Sequence, residues 1–553
     1  MISIPGEMIL LWHRTDLRIE DNPALERAAA LAQRQGETVQ PVFVFDPQFY
    51  GEKALACDSR IEFMHECLAS LREQYRERGS ELTLLHGEPA ERFASLLDDQ
   101  ESEKTQLYYT RHPTARYGAR RDQQFENRIH DHIDSNGRQR ELDIRAVPEG
   151  AIVFDARERD VDSREGWAEQ CEAYLTGDEH SPPDADVLIP ETKAIESDVT
   201  IEEVEARYDI DSTKHDVPRG GHRAARRRLD WFTRAKVMDQ YPGGISSPAE
   251  AEQRTSRLSP YLRFGVLSVR QVYQAGVERA GAERARDLFE SRLFWNQHFR
   301  QKLADNPQLT EEGINPVLQG LFASDDERDP YLIEAWKEGR TGFPMVDASM
   351  RALVETGWLN FRMRAMVASF FGYILKQWWK IGADFMYYHL IDADPAINYA
   401  QWQMQCGLVG CHPNRVYNPR KQTRENDSEG EFTREYVPEL RDLPTEFLAR
   451  PERTPVHIQR ESGVAIGDGP SADYPYPIVD FEREATAARE QFSRLADEAR
   501  AALDDPEVRR RASLSRRRRQ RMGEPDGSES ESKADTEETS RDEPQRQRRL
   551  AEF

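Results

Sequence analysis

The stretch LIDADPAINYAQWQMQ, Leu390 to Gln405, sets Asp392 and Asp394 two residues apart, then Asn398 and Trp402 at successive four-residue steps, within a segment rich in aromatics. Four-residue spacing puts side chains on one helical face. The carboxylates either cap a helix or accept N–H and hydroxyl donors of something held there. Upstream, GRTGFPMVDASMRALVETGWLNFRMRAMVASFF places Arg362 and Arg364 in a hydrophobic helix. An unpaired guanidinium there is expensive, so each needs an anion or a wet site. Asp392 or Asp394 is the candidate partner.

Two further segments add chemistry. TSRLSPYLRFG, Thr255 to Gly265, offers hydroxyls and free backbone N–H groups at a helix start. That is a seat for a phosphate-like anion, or ordinary N-capping by Thr255 or Ser259. SRLFWNQHFRQKL, Ser291 to Leu303, sets Arg292, Trp295, Phe299 and Leu303 on or near one helical face. Trp295 stacks a base, lines a cofactor or packs a core.

The elements that must position these groups follow from periodicity. Between residues 8 and 153, the runs MILLWHR, VQPVFVF, LTLLHG, TQLYYTR and LDIRAV alternate with segments of helical period. This predicts an α/β domain with a doubly wound parallel sheet. No G-x-G-x-x-G follows the first strand, so the common dinucleotide fingerprint is missing. Residues 154–215 are acidic, Pro-bearing and weakly periodic, and read as an interdomain linker over the surface. From 216 to 480 Trp, Phe, Met and Leu recur at helical spacing, predicting one large all-α domain. Residues 481–553 are Glu, Arg, Ser and Asp with hardly an aromatic, and read as a solvated helix followed by disorder.

Composition bounds the function. With 553 residues the chain accommodates two or three domains with sizeable cores. Its formal charge is −24, from 100 Asp+Glu against 76 Lys+Arg, of which 11 are lysine. An acid-rich, lysine-poor surface suits a salt-loving cytoplasm. Five scattered cysteines without CxxC pairs indicate a reduced cytosolic protein and no metal or Fe–S site. No export signal and no long apolar run appears, which argues against a membrane location.

The order and separation of LLWHRTDLRIEDNPAL, TSRLSPYLRFG, TGFPMVDASMRAL followed by GW, and LIDADPAINYAQWQ resemble the photolyase and cryptochrome family over roughly residues 8 to 440. The acidic composition adds a halophilic archaeal source to that expectation. The resemblance implies an antenna domain followed by a helical domain that holds FAD in a folded, U-shaped conformation. Thr255, Ser256, Arg257, Leu258 and Ser259 match the family's diphosphate-binding segment, and Tyr241 a flavin-contacting tyrosine. Arg364 and Asp392 match the ion pair beside the isoalloxazine, Asp394 the second accepting carboxylate, and Asn398 the amide facing flavin N5. Trp402 and Trp379 match the first two tryptophans of an electron-transfer chain. The third place falls near Asp326, so Trp378 or Tyr373 serves, or the chain is shorter.

The substrate pocket departs from the family pattern. Where enzymes that repair cyclobutane dimers carry a glutamate, an asparagine and a second tryptophan, this sequence has Arg292, Phe361 and Met404, with Trp295 and Arg362 retained. Such a pocket cannot hydrogen-bond and sandwich a flipped dimer in the usual way. Basic stretches at Arg219–Lys236 and Arg415–Arg424 are either docking places for a phosphate backbone or solvated faces offset by acids. The antenna pigment is a deazaflavin, a folate, or absent. Two functions stay open: a cytoplasmic, monomeric photolyase that repairs UV-damaged DNA, and a cryptochrome-type blue-light sensor whose tail, residues 481–553, engages a partner.

Overall fold

The computed structural model describes residues 7–51, 56–99, 104–135, 141–158, 165–279, 281–410 and 415–513. The five apolar runs become five parallel strands, β1 (Met8–His13), β2 (Val39–Phe45), β3 (Thr83–His86), β4 (Lys104–Arg111) and β5 (Glu141–Pro148), in the order β3-β2-β1-β4-β5. Alternate residues of β1 face opposite layers. Ile9 and Leu11 pack with the helices Pro23–Gln35 and Asp58–Arg76, while Leu10 and Trp12 meet Phe93, Phe125 and Ile129 from the helices Pro89–Asp99 and Arg116–Ser135. Asn22 starts the first helix by accepting from the N–H groups of Ala24 and Leu25. The first core layer runs on without a break into the helical region, through Phe63 against Tyr261 and Phe264 at 5.4 and 5.7 Å between ring centroids.

Two expectations about the connecting and terminal segments are corrected. The 154–215 segment is no mere surface connection: Trp167, Cys171 and Leu175 of the helix Glu165–Thr176 are buried. The Trp167 indole donates to the Ala151 carbonyl at 2.7 Å and packs on Phe294. The helix Phe481–Ala502 is likewise not simply solvated, because Phe481, Ala485, Ala488, Phe492 and Ala499 form a buried stripe. Phe492 lies 4.9 Å from Tyr373. That stripe is built largely of alanine, which lets helices approach closely but contributes little to a count of large apolar residues. Residues 514–553, the rest of the expected tail, lie outside the described residues. No helix among the described residues is long and apolar enough to cross a membrane.

The end of β5 is zipped to the long helix Glu283–Asp305. Gln297 accepts from the Ala151 N–H at 3.0 Å, and Gln301 both accepts from and donates to the Val153 backbone. Two residues before Ala151 lies Glu149, buried and paired with Arg18 at 3.0 Å and His112 at 2.7 Å. Burial pushes its carboxyl up, but His112, Arg18 and Arg300 more than reverse this and hold it at about 2. A carboxylate whose folded pKa lies below its unfolded value stabilises the fold above the unfolded pKa and loses that contribution on acidification. The stability gap between wild type and Glu149→Gln, measured by denaturant unfolding, should therefore be full above pH 4.5 and close as the pH falls toward 2.

Candidate active site

The two carboxylates divide the roles that the sequence left open. Asp394 caps the helix Pro395–Gln405, accepting from the Ala396 N–H at 2.9 Å with Pro395 in the first helical position. Its other oxygen accepts from Arg300 Nε at 3.1 Å. Burial alone would raise this carboxyl, but Arg300 and Arg263 hold it below the ordinary aspartate value. Asp392 caps nothing. Its Oδ2 accepts from Ser259 Oγ at 2.6 Å and from Arg364 Nη2 at 2.9 Å. Its Oδ1 is buried with no hydrogen-bond partner. The loop bearing both residues approaches Gly357, where Ile391 N–H donates to the Gly357 carbonyl at 3.0 Å. Gly357 has φ +69°, and a Cβ there would meet Ile391 and the His389 carbonyl, so a glycine is required.

The TSRLS segment resolves against capping by hydroxyls. Thr255 closes the preceding helix Pro248–Arg254, its hydroxyl donating to the Ala251 carbonyl at 2.6 Å. Ser259 is the first residue of the helix Ser259–Arg263, and Leu258, which precedes it, supplies no side-chain cap. Ser259 Oγ is thus free to turn toward Asp392. Arg257 sits at φ +47°, pairs with Glu252 and lies over Trp358 at 4.6 Å. Leu258 is buried, and Ser256 Oγ accepts from the Leu258 N–H at 3.4 Å. Arg228 donates to the carbonyls of Thr255 and Ser256, at 2.9 and 2.8 Å, and so fixes the path of this segment.

The altered positions fall into two groups, Arg292 with Phe361 and Met404 with Trp295. Arg292 lies over the Phe361 ring at 5.2 Å and close to the buried Tyr241 phenol; burial raises that phenol, with the Arg292 charge acting against the rise. Phe361 is 42% exposed. Trp295 and Met404 flank a single apolar cluster with Ile397, Trp295 packing on His298 and Phe299. Arg362 does not reach either carboxylate of the Asp392–Asp394 loop; it donates to Ser246 Oγ at 3.2 Å and lies over Tyr417.

Along the helix that Asp394 caps, Asn398 Nδ2 donates to the Ala383 carbonyl at 3.0 Å, which fixes the amide's orientation. Trp402 is 2% exposed, with its indole nitrogen unpartnered. Trp379 is equally buried and packs on Tyr399 at 6.3 Å. Trp336, which the sequence did not single out, stands edge-on to Trp402 at 6.0 Å. Tyr373 is 1% exposed and covered by Phe492, so it cannot serve as a surface terminus for electrons; Trp378 is half-buried under Arg328 at 5.2 Å. Gly382 has no room for a side chain, since a Cβ would run into the Trp402 indole. Gly382→Ala should cost about 1–3 kcal/mol of stability by overpacking, read from denaturant unfolding, and should alter the Trp402 fluorescence environment.

Three of the seven basic residues at 219–236 are offset by acids. Arg219 pairs with Glu66, Arg223 with Glu77, and Arg226 with Glu20. These arginines are therefore not a free phosphate-docking face. In the second stretch Arg420 pairs with Glu452 and Lys421 with Glu425.

The site's donor and acceptor pattern fits a flavin. A buried carboxylate oxygen without a partner requires an N–H or O–H donor from a ligand, and Arg364 and Ser259 supply positive charge and a donor beside it. Arg300 and Arg263, whose Nε donates to the Ala393 carbonyl at 2.7 Å, are polar members that the sequence did not single out.

A family model described as DNA photolyase matches residues 9–139, and one described as FAD binding domain of DNA photolyase matches residues 289–494. The deoxyribodipyrimidine photo-lyase of Halobacterium salinarum is 30% identical over 88% of this chain and 99% of that protein. Cryptochrome-2 of Arabidopsis thaliana is 29% identical over 89% of this chain and 79% of its own length. The crystal structure of the Synechocystis cryptochrome superposes with a TM-score of 0.74 at 24% identity, covering 88% of this chain and all of that one. With the parallel sheet, the buried Asp392 cluster and both matched domains in place, the chain belongs to the photolyase/cryptochrome family and its helical domain is of the FAD-binding type.

Proposed function

We propose that this protein is a blue-light-driven DNA photolyase that works as a cytoplasmic monomer on UV-damaged DNA. The observation that carries the reading is the Asp392–Arg364–Ser259 cluster, with one carboxylate oxygen open, at the start of the helix bearing Asn398 and Trp402. FAD held there by Asp392, Arg364 and Ser259 would supply the light-driven one-electron chemistry by which a pyrimidine lesion is split and the electron recovered. The chain's own residues prepare that transfer. Asp392 and Asp394 would accept hydrogen bonds from the flavin, Arg364 would offset their charge, and Asn398, its amide oriented by the Ala383 carbonyl, would tune the flavin ring. The Thr255–Ser259 segment receives the diphosphate. Trp295 and Met404 flank a flipped pyrimidine pair, with Phe361 and Arg292 at the rim. Trp402, buried on the helix that Asp394 starts, would pass electrons from an external reductant to an oxidised flavin. Homologues named deoxyribodipyrimidine photo-lyase support this reading.

One feature favours a second reading, a light sensor without repair. Arg292 is held by Tyr241 and Phe361 where a carboxylate would accept from a lesion, so the pocket offers a donor in place of an acceptor. The deciding experiment is to reduce the purified protein anaerobically and illuminate it with oligonucleotides bearing a cyclobutane dimer or a (6-4) product. Restoration of one lesion is the expected result. Failure on both, with flavin bound and photoreducible, would replace repair by sensing.

A further inference from the structure

A line of buried charge leaves the cofactor site and ends in the α/β domain. Asp394 accepts from Arg300 Nε at 3.1 Å, and the far side of the same guanidinium, Nη1, lies 3.8 Å from Glu149 Oε2. Glu149 is gripped from behind by Arg18 at 3.0 Å and His112 at 2.7 Å, and Arg18 also donates to the Gly265 carbonyl at 2.9 Å. Side chains of Arg300, Glu149 and Asp394 are each about one-tenth exposed. Arg300 has one further bond, to the Leu262 carbonyl at 3.3 Å. One arginine is thus shared between a carboxylate of the cofactor site and a carboxylate at the end of the sheet. In so poorly hydrated a setting, how that charge is divided is felt nearby.

We propose that Glu149 is a positioning residue of the flavin site, acting through Arg300 on Asp394, so that the sheet end of the α/β domain sets the potential at the cofactor. The inference rests on Asp394 facing the flavin, as proposed above. Glu149 draws Arg300 partly away from Asp394 and leaves that carboxylate with more of its negative charge. The negative charge disfavours added electrons on the flavin. The backbone bonds from Gln297 and Gln301 to Ala151 and Val153 keep Glu149 in register with the helix that carries Arg300. The depressed carboxyl of Glu149 agrees with its being ionised in the native protein.

The test is a dark titration of the midpoint potential of the bound flavin in the full-length holoprotein, which needs neither DNA nor light. Glu149→Gln should move the potential to more positive values, by roughly a tenfold change in the reduction equilibrium. In an Arg300→Gln background the same substitution should shift it severalfold less, because the intermediary is gone. His112→Ala, which releases Glu149 toward Arg300 and leaves the carboxylate in place, should shift the potential in the opposite direction and covers the case in which Glu149→Gln does not fold. An unshifted potential in folded Glu149→Gln, an equal shift in both backgrounds, or a His112→Ala shift of the same sign would overturn the inference. A wild type that titrates normally but repairs neither lesion would sink the photolyase reading alone. A wild type holding no flavin would sink both.

Discussion

Asp392→Ala should yield a folded protein that purifies with little or no flavin. Asp392 does three things at once: it accepts from Ser259, neutralises Arg364 and presents a second, unpartnered oxygen into the site. Arg364 keeps its bond to the Leu359 carbonyl once the carboxylate is gone but loses its anionic partner, and a partly buried guanidinium left without its anion is destabilising. Losing that pairing together with the open acceptor should weaken flavin binding by about 3 kcal/mol or more, roughly a hundredfold. The ratio of flavin to protein absorbance after gel filtration reads this directly. Asp392→Asn, which keeps an acceptor oxygen, should retain more flavin than Asp392→Ala. Unchanged occupancy in the alanine variant would contradict the assignment of the pocket.

The contrast between Asp392 and Asp394 shows what local sequence carries and what it does not. Asp394-Pro395 is a helix-start signature, and Pro395 at the first helical position follows from short-range rules alone. The inner strands were equally legible, because parallel strands buried on both faces read as nearly continuous apolar runs, as in VQPVFVF. The partner of Asp394 was not legible: Arg300 lies 94 residues away, and nothing in its helix distinguishes it from a surface arginine until packing covers all but about a tenth of its side chain. Trp336 was missed for the same reason, since its approach to Trp402 depends on how two distant helices cross. Ser259 looked like a capping residue because the local rule that favours serine there cannot see Asp392 133 residues on. The alanine stripe of the helix Phe481–Ala502 failed on amount of apolar surface, although its period was present in the sequence.

Trp402→Phe should slow photoreduction of the oxidised flavin by roughly tenfold or more, since about 1.4 kcal/mol added to the barrier is enough for a factor of ten. The indole is the oxidisable ring on the helix that Asp394 starts, and phenylalanine cannot replace it as an electron donor. Structurally the change should be mild. The indole nitrogen makes no hydrogen bond, so no buried partner is orphaned, and Phe371 and Trp336 remain packed against the site at 5.9 and 6.0 Å. The expected loss is a cavity effect of about 1–3 kcal/mol, which thermal unfolding of the holoprotein would show. Flash absorption under aerobic blue light measures the electron step, while repair by chemically pre-reduced protein measures the lesion chemistry. A photolyase should lose the first and keep the second, because reduced flavin supplied from outside bypasses Trp402. A sensor has no second activity to keep, and its light response should vanish with the tryptophan. Photoreduction at the wild-type rate in Trp402→Phe would instead move the electron path to another ring, with Trp379 and Trp336 the next positions to substitute.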